Sequence, residues 1–159
     1  MGNIIVASSL ERKFEKLNSV ARRESLKILK ILKKDRVSIE IYLVGDRKMR
    51  ELNKKFRGKD NPTNVLSFQS PKGFIFPQEF GGFKTKNKFL GEIYLDISQI
   101  KKEAKILWKI SLEDFFLKLL IHAILHLSGY DHKKKSDRIK MEKKENYVFH
   151  RLRHRIISN

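Results

Sequence analysis

Three histidines fall within eleven residues in the stretch LLIHAILHLSGYDH: His122, His126 and His132. His122 and His126 are four apart in an apolar run, so a helix carries both imidazoles on one face, Cβ atoms about 5–6 Å apart. Gly129 interrupts the periodicity, as the residue after a helix often does, and a turn there swings His132 back toward the other two. H-x3-H-x5-H with a glycine at the bend is a metal-site spacing. Neutral imidazole is the commonest side-chain ligand for zinc, and three protein ligands leave the fourth tetrahedral position for water, as in catalytic sites. A single histidine on an apolar helix face is ordinarily a core or helix-end residue; three of the chain's five at this spacing are not explained that way. With no cysteine in the chain, nitrogen and oxygen must supply every ligand. Nickel, cobalt and copper would also accept three imidazoles.

The spacing resembles that of the metzincin proteases, H-E-x-x-H-x-x-G-x-x-H. Where those proteases carry a general-base glutamate beside the first histidine, this chain has Ala123. The metal cage is present and the protease base is absent, which disfavours a zinc peptidase.

The elements that must position these residues read as follows. Asn3–Ala7 is a short strand, and Ser8-x-x-Glu11 is a capping box for a helix. That helix keeps an apolar stripe through Leu10, Phe14, Leu17, Ala21, Ile28 and Leu32 to about Lys34. Val37–Leu43 alternates as a half-buried strand does. Asp46 caps a helix whose stripe is Met49, Leu52, Asn53 and Phe56. The segment FRGKDNPTNVLSF is a polar loop running into a strand at Val65–Phe68, a place where ligand groups are commonly carried. For Arg57, Lys59 and Asp60 the plainer reading is a solvated loop with a local ion pair. Gln69–Phe89 holds five phenylalanines among prolines and glycines, and reads as a long irregular loop or a loose hairpin that packs over the core. Gly91–Asp96 is a further strand. Asp96-x-x-Gln99 caps a helix carrying Ile100, Ala104 and Leu107, and Ser111-x-x-Asp114 opens the histidine helix. Phe115, Phe116, Leu119, Leu120, Ala123, Ile124 and Leu127 cover most of that helix's circumference, so it is buried and its histidines are held neutral. A last helix, Ser136–Ile156, carries Met141, Val148, Leu152 and Ile156 on one side and lysines and arginines on the other.

A chain of 159 residues, 40% apolar with eleven phenylalanines, is expected to form one domain spanning residues 1–159 with a real core. Thirty-six Lys and Arg against eighteen Asp and Glu give a formal charge of +18 and a pI near 10.1. Such an excess fits a polyanionic partner, although a lysine-rich proteome or an anionic membrane surface would tolerate it too. No signal peptide and no stretch of ~18–20 apolar residues is present, so the expected location is the cytoplasm.

With LIHAILHLSGYDH, RGKDNPTNVLSF and LGEIYLD in this order, the chain resembles the YbeY family of ribosomal-RNA maturation endoribonucleases. The family motif H-G-x-L-H-L-x-G-Y-D-H is matched except at Ala123, and R-x-K-D-x-P-T-D-V-L-S-F except at Asn64. The resemblance implies an α/β fold, a small four-stranded mixed sheet packed with about five helices and a metzincin-like three-histidine site. It implies one zinc ion per chain on His122, His126 and His132, with Arg57 needed for activity. It implies cleavage of single-stranded RNA in 16S ribosomal RNA 3′-end maturation and late ribosome quality control. The partners are then ribosomal RNA and the small ribosomal subunit, no membrane, and a monomeric chain. Asp131 is an acidic candidate for orienting a ligand or water, or a turn-stabilising side chain beside Gly129.

Three readings compete: a zinc endoribonuclease, a non-catalytic zinc-containing ribosome-assembly factor, and a zinc hydrolase of another class. Ala123 weakens the peptidase; the lack of cysteine and of H-x-E weakens a deaminase. Only activity separates the first two.

Overall fold

Strand β2 (Val37–Val44) runs through the middle of the sheet because Val37, Ile39, Ile41 and Leu43 all bury on one face. It pairs in parallel with β1 (Ile4–Ser9) on one side and with β6 (Lys88–Asp96) on the other. Strand β3 (Val65–Gln69) closes the far edge antiparallel to β6, giving the order β1-β2-β6-β3. The computed structural model describes residues 2–71, 79–80, 83–84 and 86–154. Between β3 and β6, β4 (Glu79–Phe80) and β5 (Phe83–Lys84) pair antiparallel, in keeping with the expected hairpin. The side chains of Phe74, Phe76, Phe80 and Phe83, and Ile156, which the sequence assigns to the last helix, lie outside the described residues. The four-stranded mixed sheet and the α/β class are as expected.

Helices α1 (Lys16–Ile31), α4 (Leu112–Leu127) and α5 (Lys135–His154) share the core with one sheet face. Helix α2 (Asp46–Arg57) covers part of the other face with Met49 and Leu52 against Val44 and Leu66. Helix α3 (Ile97–Glu103) follows β6 directly. Two caps form as the sequence predicts. Asp96 Oδ1 accepts the backbone N–H groups of Ser98 and Gln99 at 3.0 and 3.1 Å, and Ser111 Oγ accepts that of Asp114 at 3.1 Å. Burial pushes the Asp96 carboxyl up, against the pull of those N–H donors.

Three expectations fail for physical reasons. Ser8 does not open a capping box: β1 extends through Ser9, whose register with Leu43 holds the backbone extended, and α1 begins at Lys16 after one 3-10 turn. Glu11 pairs with Lys13 at 2.8 Å instead, and Leu10 is exposed. Asp46 is the first helical residue of α2, not its cap; Gly45 holds the cap position, and Asp46 accepts the Gln99 side-chain amide at 2.9 Å. Leu107 does not continue the α3 stripe, because Ala104–Trp108 widens into one π turn that breaks the 3.6-residue period and turns Leu107 outward.

Gly91 ties this frame to the histidine helix. It has φ +141, and a Cβ there would collide with the Phe68 carbonyl oxygen on β3 and press Leu127 Cδ2 at 2.9 Å. Gly91→Ala is therefore expected to destabilise the fold by about 2–4 kcal/mol, combining backbone strain with displacement of β3 or α4. An unfolding free energy from denaturant titration within ~0.5 kcal/mol of the parent would show that β6 and α4 do not meet as tightly as described.

Candidate metal centre and its cleft

Helix α4 is buried on nearly all sides, from Phe115 to Leu127, so it is fixed rather than sliding on the surface. His122 and His126 project from its last turns at the rim of the core. Ser128 ends the helix, and Gly129 at φ +97 turns the chain so that the Tyr130 N–H reaches the Leu125 carbonyl at 3.0 Å. His132 then comes back against the other two, ring centroids 5.7 Å from His122 and 4.8 Å from His126. Each ring offers a nitrogen such that all three lie within 4.8 Å of one another. The spacing argument thus holds in three dimensions, but the rings sit shallower than expected: His122 and His126 are half-buried and His132 is exposed.

The ring nitrogens are sorted by their neighbours. His122 Nδ1 meets Glu145 Oε1 at 2.5 Å, and His126 Nδ1 meets the Tyr130 carbonyl oxygen at 3.1 Å. A carbonyl only accepts, so His126 Nδ1 carries the proton, and an ionised Glu145 asks the same of His122. Burial, then the neighbouring His122 and His132, hold His126 below the ordinary imidazole pKa, which favours its neutral form. Both Nε2 atoms then present lone pairs, and they face each other at 3.1 Å. Two acceptors at that distance require a proton or a cation between them. A tetrahedral zinc with Zn–N of about 2.0–2.1 Å sets its ligand nitrogens about 3.3 Å apart; the His122–His126 pair matches that spacing, and the set of three, within 4.8 Å, suits a metal ion once His132 draws in.

An open cleft of about 550 Å³ contains the three histidines and Arg57 on one wall or another, with Thr63, Asn64, Val65, Ser67 and Gln69 along β3. Arg57 ends α2. The loop after it folds back because Asp60 takes Arg50 at 2.7 Å and Lys54 at 3.1 Å, while the Asn53 amide donates to the Asn61 carbonyl at 2.8 Å. Those two cations hold the Asp60 carboxyl down at about 2. Asp60 is therefore the local ion pair of the loop, and Arg57 has no ion-pair partner among the described residues. Lys59 is exposed and does not line the cleft.

Asp131 lines the cleft, but its Oδ1 accepts the His132 backbone N–H at 2.7 Å, and that bond is the main cause holding its carboxyl below the usual range. It fastens the turn that delivers His132. Ala123 is completely buried and does not line the cleft. Asn64 has a structural reason to be an amide: it donates to Glu103 Oε2 at 2.8 Å, where an aspartate would face a like charge.

Sequence reasoning missed Glu145 and the β3 wall. Glu145 stands on the α5 stripe of Met141, Val148 and Leu152, four residues after the first; an acid on the buried side of a helix was the available signal. On β3 the period of two puts Val65, Ser67 and Gln69 toward the cleft, and polar residues at alternate positions mark that face.

Fold and cleft together define a small α/β protein in which three imidazoles and an arginine, without an ion-pair partner among the described residues, share one opening. The family model described as Endoribonuclease YbeY matches residues 5–153. A protein named Endoribonuclease YbeY from Aquifex aeolicus (strain VF5) is 40% identical over 117 residues, covering 73% of this chain and 71% of the relative. One of the same name from Buchnera aphidicola subsp. Cinara cedri (strain Cc) is 38% identical over 125 residues, covering 77% and 74%. A solution structure of a Thermotoga maritima protein superposes with a TM-score of 0.56 at 29% identity, over 95% of this chain and 93% of that one. The chain belongs to the YbeY endoribonuclease family, as its histidine and RGKDNPTNVLSF motifs imply.

Glu145 orients the His122 ring, as a carboxylate commonly does behind a metal-binding imidazole. Glu145→Ala is expected to weaken zinc binding about 10–100-fold in competition with a chelator, with Glu145→Gln intermediate. Equal affinity in all three proteins would mean that His122 does not depend on this bond.

Proposed function

We propose that this protein is a single-strand-specific, zinc-dependent endoribonuclease acting in 16S ribosomal RNA 3′-end maturation and late ribosome quality control. The observation that carries the reading is that Arg57 and the three histidines, 65 or more residues apart in sequence, line one cleft. Membership of a family named for endoribonuclease activity supports it, and so does the +18 charge, which suits a phosphate backbone.

His122, His126 and His132 hold one zinc through their ring nitrogens. When bound, the ion supplies Lewis acidity to the scissile phosphodiester. Glu145 and the Tyr130 carbonyl keep the Nδ1 protons of His122 and His126 in place, so that both Nε2 atoms remain donors of electron pairs. Arg57 offers a guanidinium with no competing carboxylate, and acts as the catalytic cation on the phosphate as charge gathers there. The β3 wall offers short polar side chains, Ser67 and Gln69, to the nucleotides. The same reading gives a monomeric chain working with the small ribosomal subunit in the cytoplasm. Among the described residues no helix is long and apolar enough to cross a membrane.

The decisive assay is cleavage of a labelled single-stranded RNA by metal-stripped protein, with and without added zinc, beside His122→Ala and Arg57→Ala. Zinc is expected to restore cutting in the parent. Arg57→Ala should lose about 10²–10³-fold in rate, and His122→Ala should not be restored at all. No cutting in any sample, with tight and salt-sensitive RNA binding retained, would favour the assembly factor without catalysis.

A further inference from the structure

Ile106, Leu107 and Trp108 are consecutive, large and apolar, yet 60%, 67% and 60% exposed. They sit on the π turn at the end of α3, and Lys109 immediately after holds a left-handed backbone at φ 47. A π turn, a strained lysine and three outward apolar residues are each unfavourable, and their coincidence marks a built surface. Lys101, Lys102, Lys105 and Lys109 flank it in sequence and are exposed. Among the described residues, Lys102, Lys105 and Lys109 have no ion-pair partner, and the one acid of the stretch, Glu103, is engaged by Asn64. Trp108 is braced rather than loose: its ring lies 6.4 Å from that of buried Phe115, tilted by 38°. The surface also adjoins the cleft, since Asn64 lines the cleft and the residue it holds, Glu103, directly precedes the turn.

We propose that the Ile106–Trp108 turn is a second contact for single-stranded RNA, in which Trp108 stacks on a base and the flanking lysines hold the adjoining phosphates as the strand leaves the cleft. A supported aromatic face set among cations is the usual platform for single strands. A duplex offers no free base face to such a ring. An anionic lipid surface would also take an apolar turn flanked by lysines; what favours an RNA strand is the link from the turn to the cleft through Glu103 and Asn64. The inference rests on the RNA reading proposed above and adds a site outside the catalytic cleft.

Trp108 is the only tryptophan in the chain, so its emission reports this surface alone. The experiment titrates the metal-free 159-residue chain with oligouridylate, with heparin as a polyanion lacking bases, and with anionic phospholipid vesicles. Saturable quenching by oligouridylate and little by heparin is expected. Read by the anisotropy of a labelled oligouridylate, which needs no tryptophan, Trp108→Ala should weaken binding about tenfold, Trp108→Phe should recover most of it, and Lys102→Glu with Lys105→Glu should weaken it while lowering the salt dependence. Unchanged emission with oligouridylate, equal quenching by heparin, or a blue shift with vesicles alone would each overturn the inference. Failure is separable from failure of the nuclease reading. An inactive protein whose tryptophan still quenches keeps the stacking surface and loses the enzyme; an active one whose emission does not respond loses only the surface.

Discussion

Two imidazole nitrogens facing each other at 3.1 Å, each with its other nitrogen committed to an acceptor, is the constraint on which the site depends. Lone pairs held that close repel unless a positive charge lies between them. Such an arrangement of side chains persists only where the surroundings fix it. Here they do: α4 is immobilised by core contacts on nearly every side, the Tyr130 carbonyl is fixed by the turn at Gly129, and Glu145 is delivered by α5 on its buried stripe. The fold thereby gathers three imidazoles into a group that could hold a metal ion.

The rest of the architecture serves that commitment. Parallel strands β1, β2 and β6 make a platform against which α1 and α4 pack, and Gly91 lets β6, β3 and α4 approach closely. Strand β3, at the sheet edge, is free to offer one side of its alternation to the cleft. Asp60, taken by Arg50 and Lys54, folds the preceding loop onto α2, and Arg57 stands at the opening with no ion-pair partner among the described residues. Positive charge at one wall and lone pairs at the other give a place where a phosphodiester can lie across the gap.

Much of this is legible in the sequence because it is local. A helix fixes where His122 and His126 point, a glycine marks the turn to His132, and Asp96 and Ser111 each cap a helix within three residues of themselves. The misses are non-local or depend on competition. Glu145 reaches His122 across 23 residues, and nothing near His122 announces it. Ser8 has a capping-box neighbour in sequence, but the ladder with β2 claims its backbone first. Leu107 fits the α3 stripe until one π turn shifts the register. The family resemblance supplied Arg57, which local chemistry alone read as a solvated loop residue.

Zinc K-edge X-ray absorption on the zinc-loaded chain tests the central claim most directly. Three imidazoles bound to one zinc per chain is the predicted signature, reduced to two in His132→Ala. Fewer imidazoles in the parent, or no stoichiometric zinc, would contradict the account and leave the facing nitrogens to be bridged by a shared proton.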